Sequence, residues 1–101
     1  MKYRITYLPD TVADREVIKA YLSQFYGSTV KKFFALLRSK TSQLKDFPYS
    51  CPEYEHDTDY RRMVVGDYLV FYMVKEESKT VEIHRILHET QNIKHQLSRN
   101  D

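Results

Sequence analysis

From Tyr60 to His88 the chain reads YRRMVVGDYLVFYMVKEESKTVEIHRILH, three apolar runs separated by two turn signals. Gly66-Asp67 falls between Val65 and Tyr68, and the polar segment from Glu76 to Lys79 falls between Val74 and Thr80. β-Branched and aromatic residues dominate the runs, and such runs bounded by turn residues predict strands joined as hairpins. The pattern therefore predicts a three-stranded antiparallel meander. Alternation divides each strand into two sides. Tyr60, Arg62 and Val64 oppose Arg61, Met63 and Val65. Tyr68, Val70, Tyr72 and Val74 oppose Leu69, Phe71 and Met73, so the middle strand is apolar on both sides and is expected to be central. Val81, Ile83, Arg85 and Leu87 are expected to oppose Glu82, His84, Ile86 and His88.

Upstream, Lys2 to Leu8 alternates with period two, as a strand does, and Pro9-Asp10 is expected to end it. Asp10 or Thr11 can cap a first helix over about Val12 to Phe25, with Val17, Ile18, Tyr21, Leu22 and Phe25 on one broad face. Gly27 suits the cap that closes this helix, and Ser28 suits the start of the next. The second helix has the cleanest period in the chain: Val30, Phe33, Phe34, Leu37, Thr41 and Leu44 recur at three- and four-residue steps. A short connection makes the two an antiparallel hairpin. Phe47-Pro48 stops the second helix, and Tyr49 to Asp57 reads as loop. Thr90 to Leu97 can form a last short helix, and Ser98 to Asp101 is expected to fray.

The predicted order is β-α-α-β-β-β-(α), an α+β fold in one domain over residues 1–101. The opening strand joins the meander in an antiparallel sheet, the helical hairpin covers one face, and the other face is left partly open. A chain of 101 residues can fold without staples. No apolar run approaches the roughly 20 residues of a spanning helix, no leader pattern opens the chain, and a membrane partner is not expected. A single cysteine, Cys51, excludes an internal disulfide and fits the reducing cytoplasm.

Net charge is only +2, which does not by itself point to nucleic acid. Its distribution says more. Lys31, Lys32, Arg38, Lys40 and Lys45 follow one another from Ser28 to Lys45 with no acid among them, while Glu53, Glu55, Asp57 and Asp59 cluster just beyond. The basic helix is either a solvated face or a surface for an acidic partner or a phosphate backbone.

Candidate chemistry collects at the strand ends: Arg61, Arg62, His84, Arg85 and His88, with His56 in the preceding loop. Metal-free RNA cleavage needs a base, an acid and a cation for the crowded phosphorane. His88 suits the proton transfer, because imidazole titrates near neutrality, or it caps its strand. Arg61 and Arg62 could grip phosphate or a partner's carboxylate, or pair internally with Glu82 or the acidic loop. A metal site is not expected, since His84 and His88 on one strand are about 13 Å apart at roughly 3.3 Å per residue. No Gly-rich phosphate loop or nucleophile elbow is present, and no cofactor is expected.

These residues, in this order and spacing, resemble the RelE/ParE toxins of bacterial type II toxin–antitoxin (plasmid stabilisation) modules. The likeness covers nearly the whole chain. It rests on Leu44, Phe47 and Pro48 closing the hairpin, then Tyr60-Arg61-Arg62, Val65-Gly66, Val70-Phe71-Tyr72 and Arg85-Ile86-Leu87-His88, with Gln91-Asn92-Ile93, His95 and Leu97 in the tail. It lies closest to the ParE side. The resemblance implies a growth-arresting toxin with a cognate antitoxin, and its members divide by target. ParE-like members resemble inhibitors of DNA gyrase without a known catalytic centre. RelE-like members resemble ribosome-dependent mRNA endonucleases. RelE has an arginine where this chain has Leu69, and nucleases of that side carry a tyrosine near the C-terminus, whereas no Tyr follows Tyr72 here. Both departures tilt the reading towards gyrase. Under the nuclease alternative His88, Arg61 and Arg62 are the catalytic candidates, and Arg61, Arg62, His84 and Arg85 are candidates for target or phosphate binding. Lys31, Lys32 and Arg38 are the candidates for antitoxin binding. A further alternative is an inactive binding domain that has kept the fold.

Overall fold

The chain builds its sheet around the hairpin turns the sequence announces. In the computed structural model, which describes residues 2–97, Gly66 takes φ 59° between the paired residues Val65 and Tyr68, a backbone setting that glycine reaches without a Cβ clash. The elements are β1 (Arg4–Tyr7), α1 (Pro9–Leu22), α2 (Gly27–Gln43), β2 (Glu53–Tyr54), β3 (Asp57–Val65), β4 (Tyr68–Lys75), β5 (Thr80–His88) and α3 (Ile93–Gln96). The expected fraying of Ser98 to Asp101 lies outside the described residues. Among the described residues no helix is long and apolar enough to cross a membrane.

The strands lie in the order β1-β5-β4-β3-β2. The meander is antiparallel and β4 is central, as its two apolar sides predict. β1, however, pairs parallel with β5, from Arg4 opposite Thr80 to Tyr7 opposite Ile83, so the sheet is mixed rather than wholly antiparallel. The helical hairpin sets this direction. It returns the chain to the end where β1 began, with Tyr3 N–H donating to Lys45 O at 2.9 Å. β3 therefore runs the way β1 does, and two hairpin reversals leave β5 parallel to both. β2 adds a strand inside the stretch expected to be loop, pairing with the start of β3. Two residues are too few for a period to register.

Both helices start earlier than expected. Pro9 opens α1 rather than merely ending β1, because a first helical position needs no N–H. Thr11 does not cap the helix. It is fully buried and its Oγ1 donates to Ile83 O at 2.7 Å, fastening the start of α1 to β5. α1 ends at Leu22 with Ser23 as its C-cap, and Gly27 opens α2 after Tyr26, so neither Gly27 nor Ser28 takes the expected cap role. The α2 face behaves as its period predicts: Leu37, Thr41 and Leu44 are buried and Phe33 and Phe34 pack beside them.

The sheet has a core on each side. Ile18, Leu37, Leu44, Val65, Val70, Tyr72, Val81 and Ile83 fill the helix side. Tyr54, Tyr60, Phe71, Met73, Leu87 and Leu97 fill the other, with Leu69 and Ile93 packed against them. The face expected to be partly open is thus covered by the Tyr54 side chain and by Ile93 and Leu97 at α3. At roughly 25 cal/mol per Å2 of apolar area, this second layer adds to stability as well as closing the face. A bulge in β5 decides who points where. Phe71 pairs with Arg85 but Tyr72 pairs with Ile83, leaving His84 as an extra residue. Alternation resets there, so Ile86 joins Val81 and Ile83 on the helix side and Leu87 faces the opposite way, against the simple grouping by parity.

Candidate functional site

β1 stops at Tyr7, so from His84 onward the outer edge of β5 has no strand beside it. α1 crosses this edge, and between them lies a cleft of about 330 Å3 lined by Asp14, Val17, Ile18, Tyr21, Tyr68, Ile86 and His88, with Thr90 and Gln91 at its rim. His88 ends β5 with its ring edge-on to Tyr68, centroids 5.1 Å apart. Its Nδ1 accepts the Thr90 N–H at 3.2 Å and lies 2.7 Å from Thr90 Oγ1. The neutral ring therefore carries its proton on Nε2. Strand capping and proton transfer are both open to such a histidine. What the cleft lacks, among the described residues, is a lysine or arginine lining it, and its charged group is the carboxylate of Asp14. A phosphorane would find no cation there.

Arg85 is a phosphate-binding candidate by sequence, but the fold engages it internally. Nε and Nη2 donate to the two oxygens of Asp14 at 2.7 and 2.8 Å, and Nη1 donates to Gln96 O at 3.0 Å. Hydrogen bonding to that carboxylate raises the pKa of the guanidinium further. Arg85 thus pins α1 and α3 to β5.

Arg61 and Arg62 do not form a joint grip, because alternation sends them to opposite sides of β3. Arg61 donates from Nη1 to Cys51 O at 2.7 Å and lies over the Tyr49 ring, 4.8 Å from its centroid. The Tyr49 hydroxyl in turn donates to Glu76. Glu76 also accepts Tyr3 OH at 2.6 Å and Lys79 Nζ at 2.7 Å. Bonding from Lys79, Tyr3 and Tyr49 holds the Glu76 carboxyl down to about 2, and bonding to Glu76 with some burial pushes Tyr49 up to about 12. This clamp joins the residue just before β1, the segment after α2 and the β4–β5 turn. Sequence reading missed it, because its members are far apart in the chain and each looks like an ordinary surface residue.

Arg62 is different. Its Nε is buried with no hydrogen-bond partner among the described residues. It lines a shallow cleft of about 290 Å3 with Lys40, Ser50 and Cys51. His84, the bulge residue, sits 3.2 Å from Glu82 Oε1 and edge-on to Tyr60. Lys31, Lys32 and Arg38 are exposed on α2 as their position predicts. The candidates thus fall at separate places: His88 in the α1–β5 cleft, Arg61 in the clamp, Arg62 at the outer edge of β3, and the basic residues on α2.

This fold, a mixed sheet with a helical hairpin on one face, is that of type II toxins in solved toxin–antitoxin structures. The chromosomal ParDE toxin–antitoxin system from P. aeruginosa is similar with a TM-score of 0.73 at 14% identity, covering 86% of this chain and 96% of that one. The RelBE2 toxin–antitoxin complex from Mycobacterium tuberculosis is similar with a TM-score of 0.62 at 17% identity, covering 87% and 99%. A mutant of the E. coli toxin RelE in the free state gives a TM-score of 0.65 at 11% identity, covering 95% and 93%. No curated protein matches the sequence. Residues 5–93 match the ParE toxin of the type II toxin–antitoxin system, parDE, and the chain belongs to that family.

Proposed function

We propose that this protein is a cytoplasmic toxin that arrests growth by binding DNA gyrase and is neutralised by a cognate antitoxin. The observation that carries the choice of target is the sheet face away from the helices. Tyr54, Tyr60, Phe71, Met73, Leu87 and Leu97 fill it, where an RNA-cleaving protein of this fold would need an open, cationic surface. Arg85 and Arg61 are held by internal partners, and Leu69 packs into the same apolar layer. An action that depends on shape and surface contact with a large target fits such a molecule. The test is a supercoiling assay with purified protein and gyrase. Loss of supercoiling as the protein is titrated is expected, and undisturbed supercoiling at high excess would refute the reading.

A ribosome-dependent mRNA endonuclease is the second reading, favoured by His88 in an open cleft and by the unpartnered Arg62 Nε. It predicts new transcript ends after induction that disappear in His88→Ala and Arg62→Ala. Unchanged transcripts count against it.

A further inference from the structure

Past Arg85, the N–H and C=O groups of Ile86 and His88 point off the outer edge of β5, since both groups of a residue share one side of a strand. All but one are satisfied. Asp14 Oδ2 accepts the Ile86 N–H at 3.0 Å, Gln91 Oε1 accepts the His88 N–H at 2.7 Å, and Gln91 N–H donates to His88 O at 3.0 Å. Among the described residues nothing donates to Ile86 O. Ile86 is only 2% exposed and lines the α1–β5 cleft, so this acceptor is short of water as well as of protein donors. Asp14 lines the same cleft. Its Oδ2 takes bonds from Arg85 Nε and Ile86 N–H, whereas Oδ1 takes only the one from Arg85 Nη2 and keeps a lone pair for another donor. Arg85 is not a lining residue, so the pair shows the cleft its negative end. Rings wall the rest: Tyr68 against His88, and Tyr21, half exposed, on the α1 side. Burial, then the nearby Tyr21 and Asp67, push the Tyr68 hydroxyl up, so it stays an uncharged phenol with a second carboxylate in reach.

We propose that this cleft binds a small organic cation, an amidinium or guanidinium carried on a flat apolar body, whichever target the toxin attacks. The N–H groups of such a ligand meet Ile86 O and the open side of Asp14 Oδ1, its charge faces the rings and the carboxylate, and its body lies against Val17 and Ile18. An anion is turned away by Asp14 and finds no lysine or arginine lining the cleft. A neutral apolar molecule leaves the carbonyl and the carboxylate without a donor and costs their desolvation. At about 330 Å3 the cleft is at the small end of ligand sites, which suits one ring with one charged group.

The probe is benzamidine, with benzoate and benzyl alcohol as comparisons built on the same ring. Each is titrated into the full-length protein while backbone amide shifts are followed by NMR and the melting temperature is recorded. Benzamidine is expected to bind saturably with a Kd on the order of 1 mM, the range open to so few atoms, and to raise the melting temperature by mass action. The amides that move should be those of residues 86–91. The anion and the alcohol are expected to bind at least about tenfold more weakly. Tyr21→Ala, at a half-exposed position, should weaken benzamidine about fivefold, while Tyr21→Phe keeps the ring and the affinity. Asp14→Asn should remove the preference for the cation; were that variant to misfold, the Tyr21 variants and the three ligands decide alone. Equal binding of benzyl alcohol, a preference for benzoate, shifts confined to other surfaces, unchanged affinity in Tyr21→Ala, or no saturable binding would each overturn the proposal. Neither gyrase nor growth enters the assay, so failure here leaves the toxin reading standing, and failure of that reading leaves a positive result here intact.

Discussion

Asp14 of α1 and Arg85 of β5 meet in a two-pronged ion pair, Nε to Oδ2 at 2.7 Å and Nη2 to Oδ1 at 2.8 Å. The same carboxylate accepts the Ile86 N–H at 3.0 Å, closing the β5 edge where β1 has ended. The two side chains are only 12% and 21% exposed, so solvent screens the pair weakly.

Removing either partner strands the other. Asp14→Ala and Arg85→Ala are each expected to cost roughly 2–4 kcal/mol, less than a fully buried pair would. The double variant should cost clearly less than the two together. Urea midpoints measure this, and single variants with wild-type midpoints would show that the pair does not hold α1.

Adjacent residues on α1 should differ sharply. Ile18 is 4% exposed in the helix-side core, and Ile18→Ala is expected to cost about 3 kcal/mol. Val17, on the same predicted apolar face, is 70% exposed, and Val17→Ser should stay within about 0.5 kcal/mol of wild type. Equal losses in thermal unfolding would mean that α1 sits on the sheet at another rotation.

The Glu76 clamp gives stability two pH limits. Glu76 titrates at about 2 in the fold against an ordinary 4.5, so its contribution is present above 4.5 and is lost as pH falls from there towards 2. Tyr49 moves the other way, from 10 to about 12, so its contribution is present below 10 and is lost as pH rises from there towards 12. Melting temperature followed against pH should show Glu76→Gln with a flatter acid limb between pH 4.5 and 2. Parallel curves for wild type and variant would remove the clamp as a contributor.

If gyrase is the target, the nuclease candidates are dispensable. His88→Ala and Arg62→Ala proteins should inhibit supercoiling within about twofold of wild type, as expected for changes away from an interface. A large loss in either would place that residue on the gyrase-binding surface.

What could be read from the sequence, and what could not, follows from how far each feature reaches along the chain. The α2 face was legible because Phe33, Leu37, Thr41 and Leu44 repeat within a few turns, and the β3–β4 turn because Gly66 is needed where it stands. The role of Arg85 was not, since Asp14 lies 71 residues away and looks like any acid on a helix surface. The grouping of β5 failed at a single extra residue, His84, which no alternation count can anticipate. The direction of β1 depended on where two helices delivered the chain. For the candidate site, sequence named His88 and Arg62 but could not foresee that Leu97 and Tyr54 would cover the second face.

The pairing of Arg4 with Thr80 has a bearing on when the molecule comes into being. Within this domain β1 is synthesised well before its partner strand, with both helices and three strands made in between. While the ribosome still shields those residues, the opening strand has nothing to pair with and α1 has no β5 on which to lie. Contacts between such distant parts of a chain form late and slowly. Chains released early, by a stop codon or by cleavage before Thr80, have no route to the mixed sheet. The mixed sheet thus waits on the synthesis of β5, and a message interrupted before Thr80 yields a chain that lacks the partner strand of β1.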